Sequence, residues 1–232
     1  VSTEEPVSLR RRITRSFWFH LVLAFVVAGL ILSFVAKPYL VPSGSMESTL
    51  QPGDRVLVNR LAYIGADPAP GDVIVFDADD SWGVSTSASG NPLKDVLRWL
   101  GETTGFGPSG PHTLIKRIVA GPGQTVRCCT AGGSLIVDGE PLDEPYVFQD
   151  LPFGEGVDCD SEPASRRCFD EVTVPAGSYL VLGDHRSVSA DSAIACRAPE
   201  SPSPGCWRWA KREQIVGRAV AILWPATRWS GL

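Results

Sequence analysis

Two hydrophobic regimes divide the chain. From Phe17 to Ala36 the sequence FWFHLVLAFVVAGLILSFVA runs for 20 residues without a Lys, Arg, Asp or Glu. As a helix rising ~1.5 Å per residue it reaches ~30 Å, the hydrocarbon thickness of a bilayer. Beyond it, apolar residues come in short runs closed by Gly and Pro: RVLVNR (55–60), DVIVF (72–76), TLIKRIVA (113–120), SLIV (134–137), SYLVLG (178–183) and IVGRAVAILW (215–224). Such runs predict strands, and Asp138-Gly139 between SLIV and EPL predicts a two-residue hairpin turn. Long helical periodicity is missing after residue 36, so the expected fold is a mostly β domain of antiparallel hairpins rather than alternating β/α units. A short helix is predicted at 92–100 (PLKDVLRWL), within a polar Ser/Gly-rich insertion at 79–112. A second irregular, acidic stretch covers 149–171.

Charge around the first regime supplies an orientation. Arg10, Arg11, Arg12 and Arg15 precede it against Glu4 and Glu5, while residues 37–232 hold 17 basic and 24 acidic side chains. The positive-inside rule then predicts a cytoplasmic basic tail at 1–16, a single transmembrane helix at 17–36 and an extracytoplasmic domain at 37–232 in the plasma membrane. A cleavable leader is the rival. Its apolar core would run ~7–15 residues before an Ala-x-Ala site, and Phe34-Val35-Ala36 places a ring where a small residue is needed. A net charge of −5, with no basic block outside the N-terminus, argues against nucleic acid as a partner. There is no phosphate-binding or dinucleotide fingerprint. Three His and six Cys without a Cys-x-x-Cys pair argue against a zinc site.

All six cysteines follow the apolar segment, on the side where disulfides persist. Proximity pairs Cys159 with Cys168 and Cys196 with Cys206. Cys128 and Cys129 stay open, because neighbours in a strand point to opposite faces.

Three segments carry candidate chemistry. In PSGSMES (42–48), Gly44 permits a tight turn between the hydroxyls of Ser43 and Ser45. In TLIKRIVAGPG (113–123), alternation puts Leu114, Lys116 and Ile118 on one strand face and Ile115, Arg117 and Val119 on the other. A lysine desolvated among aliphatic neighbours has its pKa lowered, and its neutral amine can take a proton from a serine hydroxyl. Arg117 cannot, because guanidinium keeps its proton. An edge-strand charge that blocks aggregation is the plainer reading of Lys116. In LGDHRSVSADS (182–192), Ser189 is placed to hydrogen-bond a neutral lysine and Asp191 to hold the loop through backbone amides; a solvated turn is the plainer alternative.

In order, PSGSM (42–46), PGDVIVF (70–76), LIKRIVAGPG (114–123), GDHRSVSADS (183–192) and IVGRA (215–219) resemble the motifs of the bacterial type I signal peptidases, in their shorter one-span form. The resemblance implies a membrane-bound serine endopeptidase that removes signal peptides from exported pre-proteins. It implies Ser45 as nucleophile, Lys116 as general base, and the Ser43 hydroxyl with the Ser45 backbone N–H as oxyanion hole. Ser189 orients the lysine, Asp191 supports that loop, and Met46 lies beside shallow pockets for small residues at −1 and −3, the Ala-x-Ala rule. It further implies a small β subdomain inserted at about 124–174, a substrate docked as an added strand, work beside the lipid bilayer and the secretion translocon, and no cofactor.

Four positions depart from the family pattern. His185 stands where Asn is usual, and Ala193 where an Arg would brace Asp191. Ser48 replaces a Pro, and the Val-Pro that commonly precedes the last strand is missing near Ala210-Lys211. His185 suggests a rival Ser–His–Asp triad from Ser45, His185 or His112, and Asp184 or Asp191. Two rival functions are a non-catalytic membrane-anchored peptide-binding module and a peptidase dedicated to one substrate. Joint retention of Ser43, Ser45 and Lys116 argues against the module, and growth after depletion would separate the dedicated enzyme. Tyr39, Leu40 and Val41 are expected in an apolar surface near Ser45, and Trp207, Trp209, Trp224 and Trp229 either at the lipid interface or in the core.

Overall fold

The computed structural model describes residues 16–83, 112–197 and 205–232, apart from the side chains of residues 32 and 33. The helix predicted at 92–100 and most of the 79–112 insertion lie outside the described residues.

Helix α1 runs from Phe17 to Phe34 and is followed directly by strand β1, Ala36–Leu40. The expected helix therefore ends two residues early, because Ala36 already pairs with Asn59. The Arg60 N–H donates to Val35 O at 2.9 Å and pins the junction. At 18 residues α1 covers ~27 Å. Among the described residues no helix is long and apolar enough to cross a membrane. Apolar side chains of α1 are nonetheless exposed on all sides, from Phe17 and Trp18 to Phe25 and Ile31.

The β runs fold as two antiparallel sheets. In the larger, β1 pairs with β2 (Arg55–Asn59), followed across the sheet by β11 (Ile215–Trp224), β3 (Val73–Asp77), β4 (Thr113–Ala120), β9 (Ser178–Leu182) and β10 (Ala210–Lys211). Strand β12 (Ser230–Gly231) pairs with β11. The smaller sheet runs β7 (Glu140–Pro141), β6 (Leu135–Val137), β5 (Thr125–Cys128) and β8 (Phe169–Thr173).

Strand β3 explains why Val73-Ile-Val-Phe76 is apolar without alternation: both its faces are covered. Val73 and Val75 pack with Met46, Leu50, Val56, Val58 and Ile115, whereas Ile74 and Phe76 pack with Trp82, Ile118, Tyr179 and Val181. A third cluster, Val119, Val126, Leu135, Phe169, Leu180 and Leu182, joins the two sheets. Truncating Phe76, which is fully buried, to Ala would cost about 3–5 kcal/mol through lost burial and the cavity left behind.

Asp138 (φ 51°) and Gly139 (φ 87°) form the predicted hairpin turn between β6 and β7. The Asp138 carboxylate accepts from Thr125 N and Gln124 Nε2, each at 2.8 Å. Strands β1, β5, β8, β10 and β12 were not expected. In β8 only Phe169 is buried while Asp170 and Glu171 face out, so the strand hides in what the sequence presents as an acidic loop.

Two surface expectations are corrected. Tyr39 and Val41 are buried in the core rather than forming an apolar surface. The tryptophans divide: Trp207 and Trp209 stack at 5.7 Å and pack against the joining cluster, whereas Trp224 and Trp229 are 59% and 70% exposed. The structure pairs Cys159 with Cys168, Cys196 with Cys206, and Cys128 with Cys129.

Candidate active site

Ser45 sits in a single 3-10 turn, Gly44–Met46, on the connection between β1 and β2. Ser43 before it is extended and exposed, and Glu47 N–H closes the turn on Gly44 O at 3.0 Å. Met46 and Leu50, 1% and 0% exposed, plug the connection into the core. Met46 thus faces the core rather than an open pocket. A Cβ at Gly44 would lie 3.1 Å from the Glu47 carboxyl, a tight contact that the Glu47 side chain would have to yield to.

Lys116 lies in the middle of β4, opposite Ile74 of β3, and is 4% exposed. Its Nζ stands 2.7 Å from Ser45 Oγ and 3.2 Å from Ile115 O. Burial lowers the Lys116 pKa from 10.5 to about 8, outweighing the Asp191 and Asp184 carboxylates, which raise it. A neutral amine is therefore accessible near neutral pH, with its nitrogen at hydrogen-bond distance from a hydroxyl. That pair can exchange a proton.

The segment after β9 closes over the turn. Gly183 makes this possible, because a Cβ would fall 2.4 Å from Ser45 O and 2.3 Å from Ser189 Oγ. Ser189 is buried, but its Oγ has no hydrogen-bond partner, so the expected bond to Lys116 is not formed. Asp191 is fully buried and accepts from Ala193 N at 3.2 Å. The charge missing at Ala193 arrives from Arg197, whose Nη1 reaches both Asp191 oxygens.

Sequence reasoning named Asp184 and Arg117 but missed their pairing. Asp184, fully buried, accepts from Arg117 Nε at 2.8 Å, Arg117 Nη2 at 2.6 Å and Thr49 Oγ1 at 2.5 Å. It thereby ties the strand bearing Lys116 to the connection bearing Ser45. Arg117 also lies 4.0 Å from the Tyr146 ring centroid. The only local signal was a charged residue beside Lys116, and its partner is 67 residues away.

The Ser–His–Asp triad is not assembled. His185 turns Nδ1 to Glu47 Oε2 at 3.0 Å and Nε2 to Gln149 Oε1 at 3.2 Å, and Asp184 and Asp191 are engaged by arginines. His112 contributes its carbonyl to Ala78 N. For metals, the sulfurs of Cys128, Cys129, Cys159 and Cys168 lie within 4.8 Å of one another, near enough to share an ion as thiolates. In this structure all four are paired in disulfides, leaving no thiolate to ligate.

A family model described as signal peptidase, peptidase S26, matches residues 14–224. Signal peptidase I of Mycobacterium tuberculosis is 39% identical over 237 residues, covering 98% of this chain and 78% of its own length. A probable signal peptidase I of Mycobacterium leprae is 36% identical over 237 residues, covering 94% and 79%. A crystal structure of a signal peptidase I from Enterococcus faecalis aligns with 66% of this chain and 96% of its own at 21% identity and a TM-score of 0.34. Matches of this extent in the sequence relatives mean that the chain belongs to the signal peptidase, peptidase S26, family of serine peptidases.

Proposed function

We propose that this enzyme cleaves signal peptides from exported pre-proteins after small residues at −1 and −3, using Ser45 and Lys116. The observation that carries the reading is the 2.7 Å approach of a buried amine to the Ser45 hydroxyl, together with a lysine pKa lowered to about 8. With Lys116 neutral, the Ser45 O–H donates to the Nζ lone pair. As Oγ attacks the scissile carbonyl carbon, its proton passes to Nζ. The oxyanion is held by the Ser45 N–H and the Ser43 hydroxyl, which is exposed and free to rotate toward it. Lys116 then returns the proton to the departing amine of the mature protein, leaving the signal peptide as an ester on Ser45. Water, deprotonated by Lys116, hydrolyses that ester and restores the free serine.

Asp191 supports the loop over the dyad. Ser189, buried beside Gly183, is the group that accompanies Lys116 once substrate is bound. The floor of the −1 site is formed over the turn that Met46 anchors. We place α1 in the bilayer, with residues 1–16 cytoplasmic and the domain from 37 onward outside, beside the translocon where signal peptides emerge. The support is a segment with no Lys, Arg, Asp or Glu from Phe17 to Ala36, in which apolar side chains from Phe17 to Ile31 are exposed. Within that domain the smaller sheet is the inserted subdomain at about 124–174, and Cys159–Cys168 and Cys196–Cys206 are its extracytoplasmic disulfides and that of the neighbouring loop.

The test uses the full-length protein in detergent with a pre-protein bearing an Ala-x-Ala site, the cut being located by mass spectrometry. Cleavage after the final Ala by the wild type, and by neither Ser45→Ala nor Lys116→Ala, is expected. Cleavage that survives Lys116→Ala but not His185→Ala would overturn the dyad.

A further inference from the structure

Ser45 is held from a direction that the dyad does not explain. The His185 backbone N–H donates to Ser45 O at 3.1 Å. The same residue's ring reaches Glu47 Oε2 at 3.0 Å, two residues past Ser45, and Gln149 Oε1 at 3.2 Å. One residue therefore grips the turn at two points, by main chain at Ser45 and by side chain at Glu47 just after it.

We propose that His185, acting with Glu47 and Gln149, is a positioning residue that fixes the Ser45 turn against the segment at 148–149. The inference rests on the reading of Ser45 as nucleophile.

The ring has little freedom to do anything else. Its side chain is 9% exposed, and the Phe148 ring meets it edge-on at 5.1 Å and 78°. The supporting segment is itself tied down: Phe148 N donates to Asp184 O at 2.8 Å and Ser187 N to Gln149 O at 3.2 Å. The neighbouring charges are committed elsewhere. Asp184 is taken by Arg117 and Thr49, and Arg186 by Glu144 and Gly183 O. Glu47 and Gln149 are thus the groups that answer the two ring nitrogens.

Chemistry makes the tie persistent. An ionised carboxylate only accepts, so the nitrogen facing Glu47 carries a proton. The Gln149 amide satisfies the other nitrogen in either state, by its oxygen to a charged ring or by its NH2 to a neutral one. The Glu47 carboxyl also lies over Gly44, where a Cβ would approach it at 3.1 Å. The Glu47 main chain is tied to the N-terminal side of Ser45 by its own N–H, which donates to Gly44 O at 3.0 Å. Neither ring nitrogen faces Ser45 Oγ, so the effect is on geometry, not on proton transfer.

The experiment is a double-mutant cycle on the full-length enzyme, with kcat and KM measured separately for pre-protein cleavage. His185→Ala and Glu47→Ala should each lower kcat about 10- to 100-fold, the cost of a small misplacement of a reacting group, with KM changed less than about threefold. The double variant should lose no more than the worse single variant, because the tie is already cut. His185→Asn, which can still donate to Glu47, should recover part of the loss. The acid limb of the pH profile should stay where it is in every variant. Thermal unfolding at the assay temperature must show folded protein, and Glu47→Gln serves if an alanine variant does not fold. An unchanged kcat in His185→Ala, or losses that multiply in the double variant, would overturn the proposal. If Ser45→Ala itself still cleaves, the dyad reading has failed; if Ser45→Ala is inactive and His185→Ala has wild-type kcat, only the tie has failed.

Discussion

The Arg197 guanidinium donates through Nη1 to both carboxylate oxygens of Asp191, at 3.3 and 3.4 Å. Both side chains are buried, at 5% and 0% exposure. Ala193, where the family pattern places an arginine, is itself packed in the core cluster that joins the two sheets. The positive charge comes instead from the residue after Cys196, in the loop that Cys206 closes. A charge at one site has been replaced by a charge delivered from the next turn, and the Asp191 carboxylate remains paired one step from Lys116.

Arg197→Met should therefore do two things. An unpaired buried carboxylate lowers stability by about 3–5 kcal/mol, readable by urea unfolding. Asp191 left unneutralised raises the Lys116 pKa further, so the acid limb of kcat/KM should move to higher pH. Arg197→Lys, which keeps the charge, should move it less. A limb that does not move in the Met variant would mean that Lys116 does not feel the pair.

Activity should rise with pH through the lowered lysine pKa of about 8. Below it, kcat/KM falls about tenfold per pH unit, as the fraction of neutral amine does. A rate flat from pH 5 to 9 would exclude a lysine base.

The same burial predicts a trade of stability for activity. Lys116 has its pKa lowered from 10.5 to about 8 in the folded state, so folding is penalised while the amine is charged. The penalty, about 3 kcal/mol at ~1.4 kcal/mol per pH unit, is fully present below about pH 8 and is relieved as pH rises toward 10.5. Lys116→Met should be inactive yet more stable at pH 7 by about 1–2 kcal/mol, after subtracting roughly 1 kcal/mol for the hydrogen bond lost at Ser45. A less stable Met variant would show that the amine is better accommodated than its burial implies.

Gly183→Ala tests the close approach of the two loops. The added Cβ would meet Ser45 O at 2.4 Å, so the turn must shift. A loss of kcat of about 100-fold or more is expected if the folded protein keeps substrate affinity. Wild-type kcat would mean that the loops separate without cost.

What local pattern can express was legible. Six apolar runs bounded by Gly and Pro became β2, β3, β4, β6, β9 and β11, and Asp138-Gly139 became a hairpin turn. Each signal lies within a few residues, where steric preference and alternating burial act directly. Ser45 and Lys116 stood out only through the ordered resemblance of five motifs, since a serine beside a glycine turn and a lysine in a strand each have a plainer local reading. Their 2.7 Å separation follows from strand pairing that brings positions 71 residues apart together. The short strands β5 and β8 were not readable, because one buried face of a polar segment exists only once the other sheet covers it. Nor were the partners of Asp184, His185 and Asp191. Each buried charge or ring must find a counterpart, but which one depends on which loops the sheet sets side by side. Alternation and turn chemistry thus determine the longer strands and the hairpin turn. Tertiary packing alone decides that Arg197 replaces the absent charge at Ala193, that Asp184 couples Thr49 to Arg117, and that His185 faces Glu47 instead of Ser45 Oγ.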